Sequence, residues 1–262
     1  MLFEKENCVL LDGEYIFDSH AHYDDSAFDG DRDRLLTEMH GFGVCGIINC
    51  GADFASSEQS LFLSHKHPFV YAAVGVHPES ADGYDEQAIR CLAADDRAVA
   101  IGEIGLDYHW DTVPRERQIA AFRSQVQLAN ELGMPVIVHD REAHSDTFDV
   151  LSELRPRGVV HCFSGSAEMA EQIVRLGMYI GIGGVLTFKN ARRLVDVAER
   201  VPLERILLET DAPYMAPEPY RGHRCHSGYI AFVADRLAAI RQLTRRDVLA
   251  ASRKNVRDLF GV

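Results

Sequence analysis

Short apolar runs and amphipathic segments alternate along almost the whole chain. The apolar runs are rich in Val and Ile and bounded by turn residues, as β-strands are. They lie at residues 14–18, 44–49, 70–76, 98–105, 135–139, 158–162, 178–184 and 205–210. The pattern therefore predicts eight strands.

Helical periodicity fills the intervals between these runs. The clearest helical segments are residues 32–43, 115–133, 169–177 and 191–201. Several are expected to end at a glycine, because glycine readily adopts the left-handed conformation that closes many helices. The predicted C-caps are Gly41, Gly133 and Gly177.

Regular alternation of strand and helix limits the choice of fold. Near-continuous apolar strands are typical of a parallel sheet covered by helices on its outer face. Eight strand-helix repeats in a chain of 262 residues match the length of a (β/α)8 barrel. No linker or change of composition interrupts the pattern. We therefore expect an α/β TIM barrel that forms one domain over residues 1–262.

The composition of the chain indicates the cellular compartment in which the protein is expected. The chain is 47% hydrophobic but has no apolar run of membrane-spanning length, and residues 1–18 lack the pattern of a signal peptide. The expectation is a cytoplasmic protein without a membrane segment. Six cysteines without a CxxC pair are expected to be reduced and mostly buried thiols. They are Cys8, Cys45, Cys50, Cys91, Cys162 and Cys225.

Titratable residues gather where the predicted strands end. In a TIM barrel the loops after the strands build the active site, so these residues are expected to meet at one rim. They are His20, His22, His77, Glu103, Asp107, His139, His161 and Asp211. Six other histidines lie away from the best-defined strand ends and are left without a role or expected at the surface. They are His40, His65, His67, His109, His223 and His226.

The segment FDSHAHYDD places two of these histidines two residues apart. Alternate residues of a strand share a face, so His20 and His22 are expected to point the same way and to supply part of a metal site. Glu103 and Asp211 lie in apolar runs, where an unpaired carboxylate would be costly to bury. His77 and His161, taken alone, also fit hydrogen-bonded core histidines.

Histidines and carboxylates without cysteine ligands suit Mg²⁺, Mn²⁺ or Zn²⁺. Five or six ligands are too many for one closed tetrahedral site, so we expect two divalent ions with a bridging carboxylate. Glu103 is the natural bridge. Asp211 is expected to bind one ion and to accept a proton from the attacking water. The predicted chemistry is metal-assisted hydrolysis, in which Glu103 and Asp211 are the catalytic carboxylates.

The formal charge of −13 argues against a protein that coats nucleic acid with a basic face. A small phosphate-bearing substrate remains open, because screening over about 8 to 10 Å lets a local cationic site act almost independently of the distant acidic surface. Lys189, Arg221 and Arg224 offer donors to a phosphate, although a solvated loop explains them equally well. Cys225 is not expected to act as a nucleophile, since nothing places a base beside it.

Seven motifs in this order resemble the TatD family: DSHAH, GVHP, GEIGLDY, VIVHDRE, HCFSG, GGVLTFKNA and LLETDAPYMAP. The resemblance spans nearly the whole chain. It implies a metal-dependent hydrolase of the amidohydrolase superfamily, with relatives that act as deoxyribonucleases and often trim single-stranded DNA from the 3′ end. The expected substrate is therefore a single strand or a short DNA end, and no protein partner is expected.

The resemblance also implies roles for matching positions. One metal would be held by His20, His22, Glu103 and Asp211, and the other by Glu103, His139 and His161. Substrate-binding or supporting positions would be His77, Asp107 and Arg141. One loop departs from the family, because many relatives have an RGKRNEP-like segment where residues 221–228 read RGHRCHSG.

Two other functions remain open at this point. One is hydrolysis of an amide, lactone or ester, including removal of a D-amino acid from tRNA, because the same nucleophile attacks carbonyl carbon and phosphorus. Many barrel hydrolases of that kind use a carbamylated lysine as the bridge, and none of the four lysines lies in the strand 4 motif. The other is a non-catalytic barrel that holds metal for structure or binds partners through its rim. Structural metal sites usually have no open coordination position, so a ligand set with open positions argues against this interpretation.

Overall fold

The computed structural model describes Leu10 and residues 13–110 and 112–262. Its strands are β1 (Ile16–Ala21), β2 (Val44–Cys50), β3 (Val70–Val74), β4 (Ala98–Asp107), β5 (Val136–Arg141), β6 (Gly158–Val160), β7 (Tyr179–Ile182) and β8 (Ile206–Leu208). Its α-helices are α1 (Arg32–Gly41), α2 (Phe54–Lys66), α3 (Glu86–Leu92), α4 (Arg115–Leu132), α5 (His144–Leu154), α6 (Ala167–Arg175), α7 (Arg192–Arg200), α8 (Ile230–Arg241) and α9 (Arg245–Phe260).

The eight strands form one parallel sheet in the order of the sequence. The sheet closes on itself where β1 meets the end of β8. There Ala21 pairs with Ala212, and the backbone N–H of Asp211 donates to the carbonyl of His20 at 3.0 Å. The predicted (β/α)8 barrel is confirmed.

The eight predicted strands are all present, but some of their bounds differ. β1 begins and ends later than predicted, so His20 lies within the strand and His22 directly after it. Gly133 caps α4 with a φ of 68°, as expected. Gly41 is the last residue of α1 rather than its cap, so that prediction is wrong; Phe42 is the cap and Gly43 has a φ of 106°.

One end of the barrel interior is filled with apolar side chains. The strands contribute Phe17, Ile48, Ala73, Ala100, Ile137, Val159, Tyr179 and Leu207. Helix α9 closes this layer with Val256, Leu259 and Phe260. Because this end is the N-terminal end of the strands, the packed layer supports the polar side chains that lie above it.

Strand alternation carries those polar side chains into the same interior. Two residues after Ile137 comes His139, and two residues after Leu207 comes Glu209. Glu103 follows Ala100 by three residues, and the register between β4 and β5 shifts between Ile101 and Ile104. The shift turns Glu103 inward despite its odd spacing.

Five of the six cysteines belong to the described residues, and Cys45, Cys50, Cys91 and Cys162 among them are free thiols. Only Cys50 and Cys225 are buried, whereas Cys91 is exposed. Cys8 and most of the N-terminal segment examined for a signal peptide lie outside the described residues. Among the helices that the structure describes, none is long and apolar enough to cross a membrane.

The packing of α9 against the barrel predicts a stability difference between two leucines. Leu259 is 3% exposed and Leu132, at the end of α4, is 39% exposed. We expect Leu259→Ala to lower the free energy of unfolding by about 2 to 5 kcal/mol, because it opens a cavity in the interior. The control Leu132→Ala should change it by less than about 1 kcal/mol. Urea unfolding followed by circular dichroism compares them, and equal losses would contradict the packing.

Candidate metal centre

Four ligand atoms, from the end of β1 and the residue after it, from β4 and from the loop after β8, face one point. The Nε2 atoms of His20 and His22 lie 3.0 Å apart. Glu103 Oε2 is 3.4 Å from both, and Asp211 Oδ1 is 3.6 Å from His20 Nε2 and 3.5 Å from His22 Nε2. We call this set the first cluster.

Three ligand atoms form a second cluster on the other side of Glu103. Glu103 Oε1 is 2.8 Å from His139 Nδ1 and 2.7 Å from His161 Nε2. The two histidine nitrogens are 3.3 Å apart. Each oxygen of Glu103 therefore faces a different pair of histidines, as a bridging carboxylate requires.

These spacings fit divalent ions. With bonds of about 2.1 Å, ligand atoms lie about 3.4 Å apart in a tetrahedral site and about 3.0 Å apart in an octahedral one. The separations of 3.0 to 3.6 Å in the first cluster and 2.7 to 3.3 Å in the second are close to these values. The donor set of imidazole and carboxylate also suits Zn²⁺, Mn²⁺ or Mg²⁺.

Hydrogen bonds on the far sides of two rings fix which nitrogen faces each cluster. The Cys50 carbonyl accepts from His22 Nδ1 at 2.9 Å, so Nε2 faces the first cluster. Asp107 Oδ2 lies 3.0 Å from His139 Nε2 and orients that ring in the same way. Such outer partners are typical of metal-binding histidines.

The electrostatics of the clusters favour positive charge between the carboxylates. Burial raises the pKa of Glu103, but the charges of His161 and His20 and hydrogen bonds from histidine outweigh it and hold that pKa well below 4.5. Burial lowers the pKa of His139, but hydrogen bonds to Asp107 and Glu103 raise it to about 10. The histidine protons that balance the charge of Glu103 lie where bound metal ions would balance the same negative charge.

His77 stands beside the bridging carboxylate but outside both clusters. Its Nε2 is 3.7 Å from Glu103 Oε1, and its Nδ1 accepts the backbone N–H of Glu79 at 3.3 Å. Burial lowers the pKa of His77 to about 3. The ring is therefore neutral at pH 7 and carries its proton on Nε2, pointing toward the centre.

Both clusters open into a cleft of about 830 Å³. Its lining includes acidic side chains such as Asp24, Asp25 and Glu79. Arg141 is the only Arg or Lys in the lining that the structure describes. The cleft therefore combines strong negative charge with one permanent cation.

Three predicted cationic positions lie away from this cleft. Lys189 is exposed and Arg221 packs over the ring of Phe188 at 4.2 Å, and neither side chain belongs to the lining. Arg224 donates to both oxygens of Asp31 at 2.7 Å. Cys225, His226 and Ser227, which follow in the loop of residues 221–228 that differs from the family pattern, are buried. The second half of the loop therefore packs into the barrel wall, and none of its described residues belongs to the cleft lining.

Two buried carboxylates near the centre were missed in the sequence. Asp18 accepts the Thr210 hydroxyl at 2.6 Å and the His20 N–H at 3.2 Å, which ties β1 to the loop that carries Asp211. Burial raises the pKa of Asp18 to about 6 against these hydrogen bonds. Glu209 accepts the N–H of Cys162 and lies 3.9 Å from His161 Nδ1. Glu209, like Glu103, is a carboxylate in a predicted apolar strand, so the cost of burying an unpaired carboxylate marks both positions.

The six histidines left without a role lie outside both clusters. Most have local partners: His40 contacts the Val44 carbonyl, His67 contacts Asp33, and His65 contacts Asp95 at the surface. His67 and His226 are buried rather than at the surface.

The chain matches the family model described as TatD related DNase over residues 17–261. Over 253 residues it is 35% identical to a Bacillus subtilis protein named uncharacterized metal-dependent hydrolase YabD, covering 94% of this chain and 99% of the relative. It is 34% identical to an Escherichia fergusonii protein named 3′-5′ ssDNA/RNA exonuclease TatD, covering 94% and 99%.

A solved structure agrees with these matches. YJJV, a TatD homolog from Escherichia coli K12, superposes with a TM-score of 0.89 at 32% identity, covering 94% of this chain and 98% of that one. The resemblance seen in the seven motifs is thereby confirmed. The chain belongs to the TatD-related DNase family of metal-dependent hydrolases.

Proposed function

We propose that this protein hydrolyses phosphodiester bonds at the end of a single nucleic-acid strand, with two divalent ions held across Glu103. The observation that carries the proposal is the arrangement of Glu103, whose two oxygens face two separate histidine pairs at 2.7 to 3.4 Å. The Escherichia fergusonii relative named as a 3′-5′ ssDNA/RNA exonuclease supports the choice of substrate and direction.

The seven ligand atoms divide between two ions. His20, His22 and Asp211 would hold one ion. His139 and His161 would hold the other, and Glu103 would contact both. When bound, Mg²⁺, Mn²⁺ or Zn²⁺ lowers the pKa of water and neutralises charge on phosphoryl oxygens. Glu103 would contribute by contacting both ions and so fixing the distance between them.

Asp211 is the proposed proton acceptor. Burial raises its pKa, but hydrogen bonding to His22 and the charges of nearby histidines hold the pKa below 3.8. The carboxylate is therefore ionised at pH 7. Its Oδ1 faces the first cluster, which leaves Oδ2 to take the proton of the attacking water.

Arg141 and His77 are the proposed substrate-binding groups. Arg141 is the cation of the described lining and donates hydrogen bonds to a phosphate oxygen. His77, neutral and protonated on Nε2, donates toward the reacting phosphate or the leaving oxygen. Asp107 acts through His139 by holding its ring. The cleft has too little positive charge to track a long polyanion, which favours a strand end.

Metal dependence on a substrate panel tests the activity. Purified protein of known metal content is incubated with 5′-labelled single-stranded DNA and RNA, a duplex and an aminoacyl ester. We expect stepwise release of nucleotides from the 3′ end of single strands with Mg²⁺, Mn²⁺ or Zn²⁺, and none with EDTA. Cleavage of the ester alone would replace the nuclease proposal with an acyl hydrolase.

Replacement of the proton acceptor tests the role of Asp211. Asp211→Asn keeps a ligand oxygen at the first cluster but removes the base, so we expect most bound metal to remain and the rate to fall at least about a hundredfold. Glu79→Gln removes one charge from the cleft wall outside both clusters and should cost far less. Metal analysis and initial rates give the comparison. An unchanged rate in Asp211→Asn would refute the assignment.

A further inference from the structure

Large apolar side chains stand exposed at the mouth of the acidic cleft. Trp110, which follows β4, is 49% exposed, and Tyr214, which follows β8, is 54% exposed. Both line the cleft that contains the two clusters. Strands four places apart in an eight-stranded barrel lie on opposite sides, so the two rings belong to opposite walls of the mouth. Both rings are therefore accessible to a ligand that enters the cleft.

Local contacts hold both rings in place. The guanidinium of Arg141 lies over the ring of Trp110 at 5.5 Å, and the His109 ring meets Trp110 edge-on at 4.8 Å. The hydroxyl of Tyr214 donates to Asp25 Oδ2 at 2.8 Å. Rings that are already positioned lose little conformational entropy when a ligand stacks on them.

Because the cleft is mostly acidic, binding of a nucleic acid there needs apolar contacts in addition to phosphate contacts. Arg141 is the only Arg or Lys of the described lining and stands among several carboxylates. Phosphate contacts alone therefore give little affinity for a nucleic acid. Every base has a π-face, and stacking on an aromatic side chain binds it without regard to sequence.

We propose that Trp110 is a stacking platform for a nucleobase of a single strand, next to the phosphate that Arg141 binds. Tyr214 offers a second aromatic surface across the cleft mouth. This inference rests on the proposed function, because it takes the reacting phosphate to be part of a nucleic acid. A base inside a duplex has no free face to offer, so the subsite favours unpaired ends of DNA or RNA.

Trp110 is the only tryptophan of the chain, so its fluorescence reports directly on this subsite. The Mg²⁺-loaded Asp211→Asn protein, which is slow to turn over, is titrated with oligothymidylate, with oligouridylate and with an oligonucleotide backbone that lacks bases. We expect saturable quenching by both base-bearing strands and none by the abasic backbone. A duplex with blunt ends should quench more weakly than either single strand.

Kinetics of platform variants give an independent readout. Trp110→Ala should raise KM for single-stranded DNA about tenfold with kcat nearly unchanged, and Trp110→Phe should restore most of the loss. For the abasic substrate both variants should match the wild type. Phe62→Ala, at an exposed aromatic position of α2 away from the cleft lining, is the matched control and should change neither constant.

The outcomes separate the two proposals. Cleavage of single strands without quenching, and with equal KM in Trp110→Ala and wild type, overturns the stacking platform and leaves the nuclease function. Quenching without metal-dependent cleavage overturns the nuclease function and leaves the nucleobase subsite. Neither quenching nor cleavage overturns both.

Discussion

One buried carboxylate, that of Glu103, lies between the two ligand clusters and contacts both of them. Its oxygens lie within 3.4 Å of two histidines on one side and 2.8 Å of two histidines on the other. An ionised group that is 3% exposed is stable only when positive charge and hydrogen-bond donors surround it. The proposed centre supplies both, and the surrounding barrel keeps the four histidines at the required distances.

The barrel meets this requirement through its closure and its filled interior. Asp18 and Thr210 join β1 to the loop after β8, which brings Asp211 beside His20. The backbone of Asp211 has a φ of 64°, an uncommon conformation for a residue with a side chain, and the bonds across the closure hold it there. Helix α9 fills the opposite end, so the polar layer rests on packed apolar side chains.

Much of this centre could be predicted from the sequence, because strand periodicity and barrel geometry together say where side chains converge. From these two patterns, His139, His161 and Asp211 are expected to meet at the rim formed by the C-terminal ends of the strands. The patterns could not find Asp18 or Thr210, since their roles depend on a contact between segments about 190 residues apart. Strand periodicity also could not show that Arg141 lines the cleft whereas Lys189 and Arg221 do not. The position of a side chain in a loop depends on packing, which periodicity does not encode.

Anomalous diffraction from crystals soaked in Mn²⁺ tests the central claim most directly. Two divalent ions sharing Glu103 should give two anomalous peaks about 3.5 to 4 Å apart. One peak should lie against Glu103 Oε2, His20 and His22, and the other against Glu103 Oε1, His139 and His161. A single peak, or two peaks of which neither contacts Glu103, would contradict the account.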